Sequence, residues 1–228
     1  MADERDTARD TAHDLERDPE LPGLLLRTER DALLPLLRSA GDSDFALRTA
    51  CPGWTVRHVL AHCGSVLNRV VESRFEPDVF SPECNDRDIA ERAGWTNAQV
   101  VDELEQGMAE AGAAIAKAGG VLDGVALGEW IHAGDVREAW GLEGAYRGDG
   151  LPHALRLLAP FARRRKTPLL IARLEDGGEL TIGTEQEGRA PGRYRGDGAT
   201  LIRLYADRPL VGTRYELEGV KESELSVF

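Results

Sequence analysis

Cysteine is scarce in this 228-residue chain: Cys51, Cys63 and Cys84 are odd in number and form no CxxC pair. They support neither a disulfide framework nor a cysteine-rich zinc site. No run approaches the ~18 to 20 apolar residues of a membrane-spanning helix, and the N-terminus lacks the apolar core of a secretory signal. The expectation is a cytoplasmic protein with no membrane partner. Lysine occurs only at positions 117, 166 and 221, and the other basic residues are arginine. Basic residues as a whole are outnumbered, 28 against 40 acidic ones, giving a formal charge of −12. Such a chain repels phosphate backbones and needs a local basic patch to bind nucleic acid. The one dense basic run, Arg163-Arg164-Arg165-Lys166, reads as the end of a helix, where cations complement the dipole. No nucleic-acid partner is expected.

What remains is a composition with 42% hydrophobic and 30% charged residues, that of an ordinary folded protein. Residues 1–20 are charged and nearly free of large apolar groups, which reads as a mobile tail. From Leu24 to Leu37 paired leucines recur at helical spacing. After Cys51-Pro52-Gly53-Trp54, Thr55 is a candidate cap for a second helix, whose stripe is Val56, Val59, Leu60, Cys63, Leu67 and Val70. A polar loop holding Pro77, Pro82 and Cys84 precedes a third helix, Asn97 to Lys117; a fourth follows Gly119-Gly120 and ends near Trp140. Four amphipathic helices over 21–145 predict a bundle. Beyond a glycine-rich loop, residues 151–228 predict a small α+β domain. Its parts are a helix from Leu151 to Lys166, strands at 168–174, 179–182 and 214–217, and a helix at 199–206. The fold class is α+β.

The five histidines can be weighed singly. His13 lies in the tail and His153 beside Pro152 at a helix start, both read as surface residues. His58 and His62 are four apart on the second helix and share a face. On the fourth helix the inward stripe is read as Val125, Gly128, His132, Val136 and Ala139, with Glu129 and Asp135 three residues either side of His132. Ionisable groups on such a stripe need a partner or a metal. A zinc-like divalent ion held by His62, Glu129 and His132, with Asp135 as a further candidate, would leave a position open for water or a thiol. Spacing alone equally allows satisfied core histidines. Cys63, on the apolar stripe, reads as inert. Trp54, Trp130 and Trp140 are core or pocket wall, and Arg203, Arg208 and Arg214 are candidates for clamping a carboxylate.

Two blocks carry a resemblance. Cys51-Pro-Gly-Trp-Thr-Val-Arg-His-Val-Leu-Ala-His62 and Glu129-Trp-Ile-His-Ala-Gly-Asp-Val-Arg137, their histidines about 70 residues apart, resemble the second- and fourth-helix signatures of the mycothiol-dependent maleylpyruvate isomerase family, part of the DinB-like superfamily. The resemblance implies a DinB-like four-helix bundle with a trailing α+β domain. It also implies a zinc-type site, to which His62 and His132 correspond. The family's carboxylate stands four residues before the second His, a place taken here by Gly128, so Glu129 or Asp135 is the expected substitute. The family usually has an acid at the place of His58. The implied cofactors are a divalent metal and mycothiol, with Trp54, His58 and Trp130 read as cofactor contacts and Arg208 and Arg214 as catalytic. The expected partners are a small electrophile and a low-molecular-weight thiol, acted on by S-transfer or cis–trans isomerisation in a monomer or weak homodimer. Two other readings stay open: a catalytically inactive binding or regulatory module, and a metal hydrolase that uses no thiol.

Overall fold

A computed structural model of the chain describes residues 17–228. The tail expectation falls mainly on residues outside that range. Eight α-helices and four strands follow: α1 Leu21–Ser39, α2 Asp42–Phe45, α3 Val56–Glu72, α4 Pro82–Glu91, α5 Asn97–Lys117, α6 Asp123–Ala139, α7 Leu151–Arg164, β1 Leu170–Leu174, β2 Glu179–Ile182, β3 Gly192–Gly196, α8 Gly198–Tyr205 and β4 Tyr215–Glu218. Arg17 is already fixed to the fold, bonding Asp123 and the carbonyls of Ile115 and Ala116 near the end of α5. No described helix is long and apolar enough to cross a membrane.

The bundle is α1, α3, α5 and α6. The caps explain where its helices begin. Thr55 accepts from the His58 amide while His58 Nδ1 accepts from the Thr55 amide, a reciprocal box with histidine where Glu or Gln usually stands. Thr96 and Gln99 do the same for α5. The stretch expected as a polar loop contains α4 instead. Ser81 caps it by accepting from Cys84, Pro82 opens it and Glu83 favours its positive end. Buried Arg69 of α3 pairs with buried Asp88 of α4, which offsets the desolvation of both and ties α4 to the bundle.

The C-terminal part is a four-stranded sheet of order β2-β1-β3-β4, antiparallel except for the parallel β1–β3 pair. Strand β3, Gly-Arg-Tyr-Arg-Gly, was not anticipated. Its alternation rests on one aromatic, Tyr194, between glycines that packing demands: a Cβ at Gly192 would lie 2.7 Å from Val220 and one at Gly196 2.6 Å from the Tyr194 hydroxyl. The inner face (Leu170, Ala172, Ile182, Tyr194) joins α7, α8 and the bundle in one continuous apolar core.

The orientation of α6 differs from the expected one. Ala126, Leu127, Glu129, Trp130, Ile131 and Ala133 are buried, whereas Val125, Gly128, His132 and Ala139 are only half-buried. The stripe read as core is mostly a seam, because the rest of the helix packs on α1, α3 and α7, with Tyr146 seated over Gly134. A half-open seam is where a ligand can reach a side chain on a rigid helix.

Candidate active site

Three local structures converge on this seam. The Cys51-Pro52-Gly53-Trp54 segment forms a β-turn closed by Trp54 N–H on Cys51 C=O at 3.0 Å, with proline second and Gly53 at φ +79° third. It presents Cys51 and Trp54 just before α3. The rigid helix α6 presents His132 and Asp135. From the other part of the chain, α8 ends in a Schellman turn: Asp207 takes φ +52°, the Arg208 amide bonds the Arg203 carbonyl at 2.9 Å, and Pro209 prevents continuation. That turn aims Arg208 at Asp135.

Asp135 is fully buried and is the hub. Its Oδ1 accepts from the Tyr146 hydroxyl at 2.6 Å and Arg208 Nε at 2.8 Å; its Oδ2 accepts from Arg208 Nη2 at 2.9 Å, His132 Nδ1 at 3.0 Å and the Cys51 thiol at 3.2 Å. Burial opposes the charge, but the bonds from His132 and Arg208 outweigh it and hold Asp135 well below the usual carboxylate range. An ionised carboxylate only accepts, so His132 Nδ1 carries the hydrogen and Nε2 is the ring nitrogen not used by Asp135. Burial, then the Asp135 charge, pushes the Cys51 thiol up to about 12, so Cys51 is a hydrogen-bond donor rather than a nucleophile at neutral pH. Tyr146 seats its ring over Gly134, where a Cβ would stand 2.2 Å away.

Beside this hub the two expected imidazoles meet. The rings of His62 and His132 stand edge to face with centroids 5.4 Å apart, and Trp54 lies 5.0 Å from the first and 6.3 Å from the second. Burial, then the neighbouring His132, lowers His62 to about 3, keeping it neutral. Its Nδ1 is buried without a hydrogen-bond partner.

The other candidates lie elsewhere. Glu129 is buried and hydrogen-bonded to the Cys63 thiol, leaving Oε2 without a partner; burial raises it to about 8. His58 closes the α3 cap, and burial followed by the charges of Arg48 and Arg57 lowers its pKa. Trp130 is buried against Tyr146, ring centroids 6.5 Å apart. Arg214 is exposed and lines a groove of about 490 Å³ with Glu138, Tyr146 and Arg203. Sequence reasoning missed Tyr146 altogether. Its signal was a lone aromatic in the glycine-rich loop 141–150.

Two donor sets bear on a metal. Among the described residues, Cys51, His132 and Asp135 offer ligand atoms within 4.8 Å of one another and could hold an ion. Arg208 already brings a positive charge there, Nη2 being 3.4 Å from Cys51 Sγ. The second set is the imidazole pair. A carboxylate on Nδ1 with Nε2 left free is how metal-binding histidines are usually held, and His62 is neutral, as a ligand must be. His62 and His132 therefore fit a divalent ion, with Asp135 as the orienting partner. Glu129 is not grouped with them as a third close donor.

A helical bundle carrying histidine and aspartate on a half-open seam, with a C-terminal α+β segment that lends an arginine, has the DinB-like fold. The chain belongs to the mycothiol maleylpyruvate isomerase N-terminal domain family, whose profile matches residues 26–142. Among solved structures it is similar to the mycothiol-dependent maleylpyruvate isomerase, at TM-score 0.60 and 18% identity, covering 90% of this chain and 96% of that one. A histidine-to-alanine mutant of that enzyme gives TM-score 0.59 at the same identity and coverage. This likeness extends the shared fold through the C-terminal part. No curated protein matches the sequence.

Proposed function

We propose that this protein is a mycothiol-dependent enzyme that adds a thiolate to a small electrophile, with His62 and His132 holding a divalent ion, zinc by preference for imidazole and sulfur. The observation that carries the reading is the imidazole pair with His132 Nδ1 fixed on Asp135. When bound, the ion would make a thiol nucleophilic at neutral pH. The chain's own residues do the rest. Asp135 sets the tautomer of His132; Arg208 and Tyr146 keep that carboxylate charged and oriented; Trp54 walls the imidazoles. Arg214, on the groove behind Tyr146, is the residue offered to a substrate carboxylate. With a conjugated cis acid, the sulfur adds to one alkene carbon, the resulting single bond rotates, and loss of the thiolate restores the double bond as trans. With an alkylating substrate the sulfur displaces the leaving group and the conjugate departs. The family name favours the first outcome, whereas the open seam sets no preference.

The test is turnover of a panel of electrophiles, maleylpyruvate included, with and without mycothiol, for the wild type and His132→Ala. Turnover that needs mycothiol and falls ~100-fold or more in the variant supports the reading. Equal turnover without thiol points to hydrolysis, and neither turnover nor mycothiol binding points to an inactive module. Either result overturns it.

A further inference from the structure

Cys51, His132 and Asp135 surround a position that a cation already serves. Cys51 Sγ lies 3.2 Å from Asp135 Oδ2 and 3.7 Å from His132 Nδ1, and Nδ1 lies 3.0 Å from Oδ2. A tetrahedral ion holding one sulfur, one nitrogen and one oxygen at zinc's bond lengths needs edges of about 3.4–3.6 Å, so each edge is within about half an ångström of that triangle. Cys51 and Asp135 are buried, and half-buried His132 turns Nδ1 to the same point. Arg208 supplies the positive charge there: its Nε and Nη2 bond the Asp135 carboxylate, and Nη2 is 3.4 Å from Cys51 Sγ. With a neutral imidazole these groups carry no net charge. Exchanging the guanidinium for a divalent ion, with the thiol deprotonated by coordination, keeps that balance: two negative ligands face two positive charges. His132 and Asp135 stand on a rigid helix, whereas Arg208 comes from the irregular connection between α8 and β4, with no helix or strand to hold it.

We infer that Cys51, Asp135 and His132 Nδ1 form a second ion site, in which a thiophilic divalent ion displaces Arg208. The sulfur selects the class of ion: cadmium or excess zinc rather than magnesium or calcium. As the bond to sulfur forms, the Cys51 thiol releases its proton to solvent, the hydrogen on His132 Nδ1 moves to Nε2, and Arg208 leaves still charged. Nothing is oxidised or reduced. A neutral imidazole has a single ring lone pair to offer a metal. His132 therefore serves either this site or an ion shared with His62, never both, which makes occupancy here antagonistic to the proposed function. The antagonism rests on that function; the site itself does not.

The experiment is titration of the full chain with cadmium, read by the ultraviolet sulfur-to-cadmium band, the ions bound per chain and the protons released to an indicator dye. Wild type, Cys51→Ser, His62→Ala and Arg208→Met are compared, and folding of each is checked by circular dichroism. Wild type should bind about one ion, with the band and about one proton released. His62→Ala should keep the band, and Cys51→Ser should lose it although Cys63 and Cys84 remain. Folded Arg208→Met, freed of the competing charge, should bind cadmium ~10-fold or more tightly. No band in the wild type, a band that survives in Cys51→Ser or one lost in His62→Ala overturns the inference, as does a folded Arg208→Met protein that binds no tighter. Where Arg208→Met does not fold, wild type against Cys51→Ser decides. A second ion bound by the wild type alongside the full band defeats the antagonism. A Cys51→Ser protein that holds no ion defeats the imidazole-pair site of the proposed function and leaves the second site standing.

Discussion

Replacing Arg208 by methionine tests how the two parts of the chain cooperate. Arg208 makes two bonds of 2.8 and 2.9 Å to a carboxylate with no solvent exposure, and its own side chain is 13% exposed. Methionine keeps most of the length and removes the charge. The substitution leaves Asp135 buried with only Tyr146, His132 and Cys51 as donors, and removing one partner of a buried pair destabilises by about 3–5 kcal/mol. For a chain of this length each kcal/mol lowers the melting temperature by roughly 2–4 °C, so the shift expected is roughly 6–20 °C. Urea denaturation gives the free energy directly, and Asp135→Asn placed on top should recover part of the loss because the orphaned charge is gone. A loss below ~1 kcal/mol, or double-variant losses that simply add, would show that Asp135 does not depend on Arg208 and would refute the hub.

Further outcomes follow from neighbouring residues. Glu129 rises from an ordinary 4.5 to about 8, so the folded state binds more protons than the unfolded one across that window. Stability therefore falls as pH rises through it, by up to about 5 kcal/mol from this group, and Glu129→Gln should flatten the slope in denaturation measured near pH 5 and pH 8. Tyr146→Phe removes a 2.6 Å bond to a charged acceptor and should lower stability by about 1.5–3 kcal/mol in the same assay. The glycines of α6 should respond with opposite signs in thermal unfolding. Gly134→Ala, clashing with Tyr146, loses about 1–3 kcal/mol, while Gly128→Ala gains about 0.5–1 kcal/mol.

The bundle was legible because its apolar residues repeat at helical spacing and Thr55 marks the start of α3. Helix α4 escaped notice because its stripe is thin, with only Cys84 and Asp88 buried, although Ser81-Pro82-Glu83 carries a start signal. Strand β3 escaped because its glycines answer to neighbours distant in sequence. At the site, spacing alone equally allowed separate core histidines; it was the resemblance that put His62 and His132 together, and their rings stand 5.4 Å apart. Neither was enough to orient Glu129, which shares their region of sequence but turns toward Cys63. The hub around Asp135 depends on Arg208, 73 residues away, and on Tyr146 in a loop without regular spacing, so no local pattern could announce it. Nor could periodicity tell a half-open seam from a core stripe on α6, since which face of that helix meets α1, α3 and α7 is set by tertiary packing.

A crystal structure grown with mycothiol tests the central claim most directly. The account predicts that the thiol sulfur lies beside Trp54, adjacent to the facing imidazoles of His62 and His132, with Asp135 still bonded to Arg208. Mycothiol seated away from that seam, with both rings contacting only protein, would contradict it.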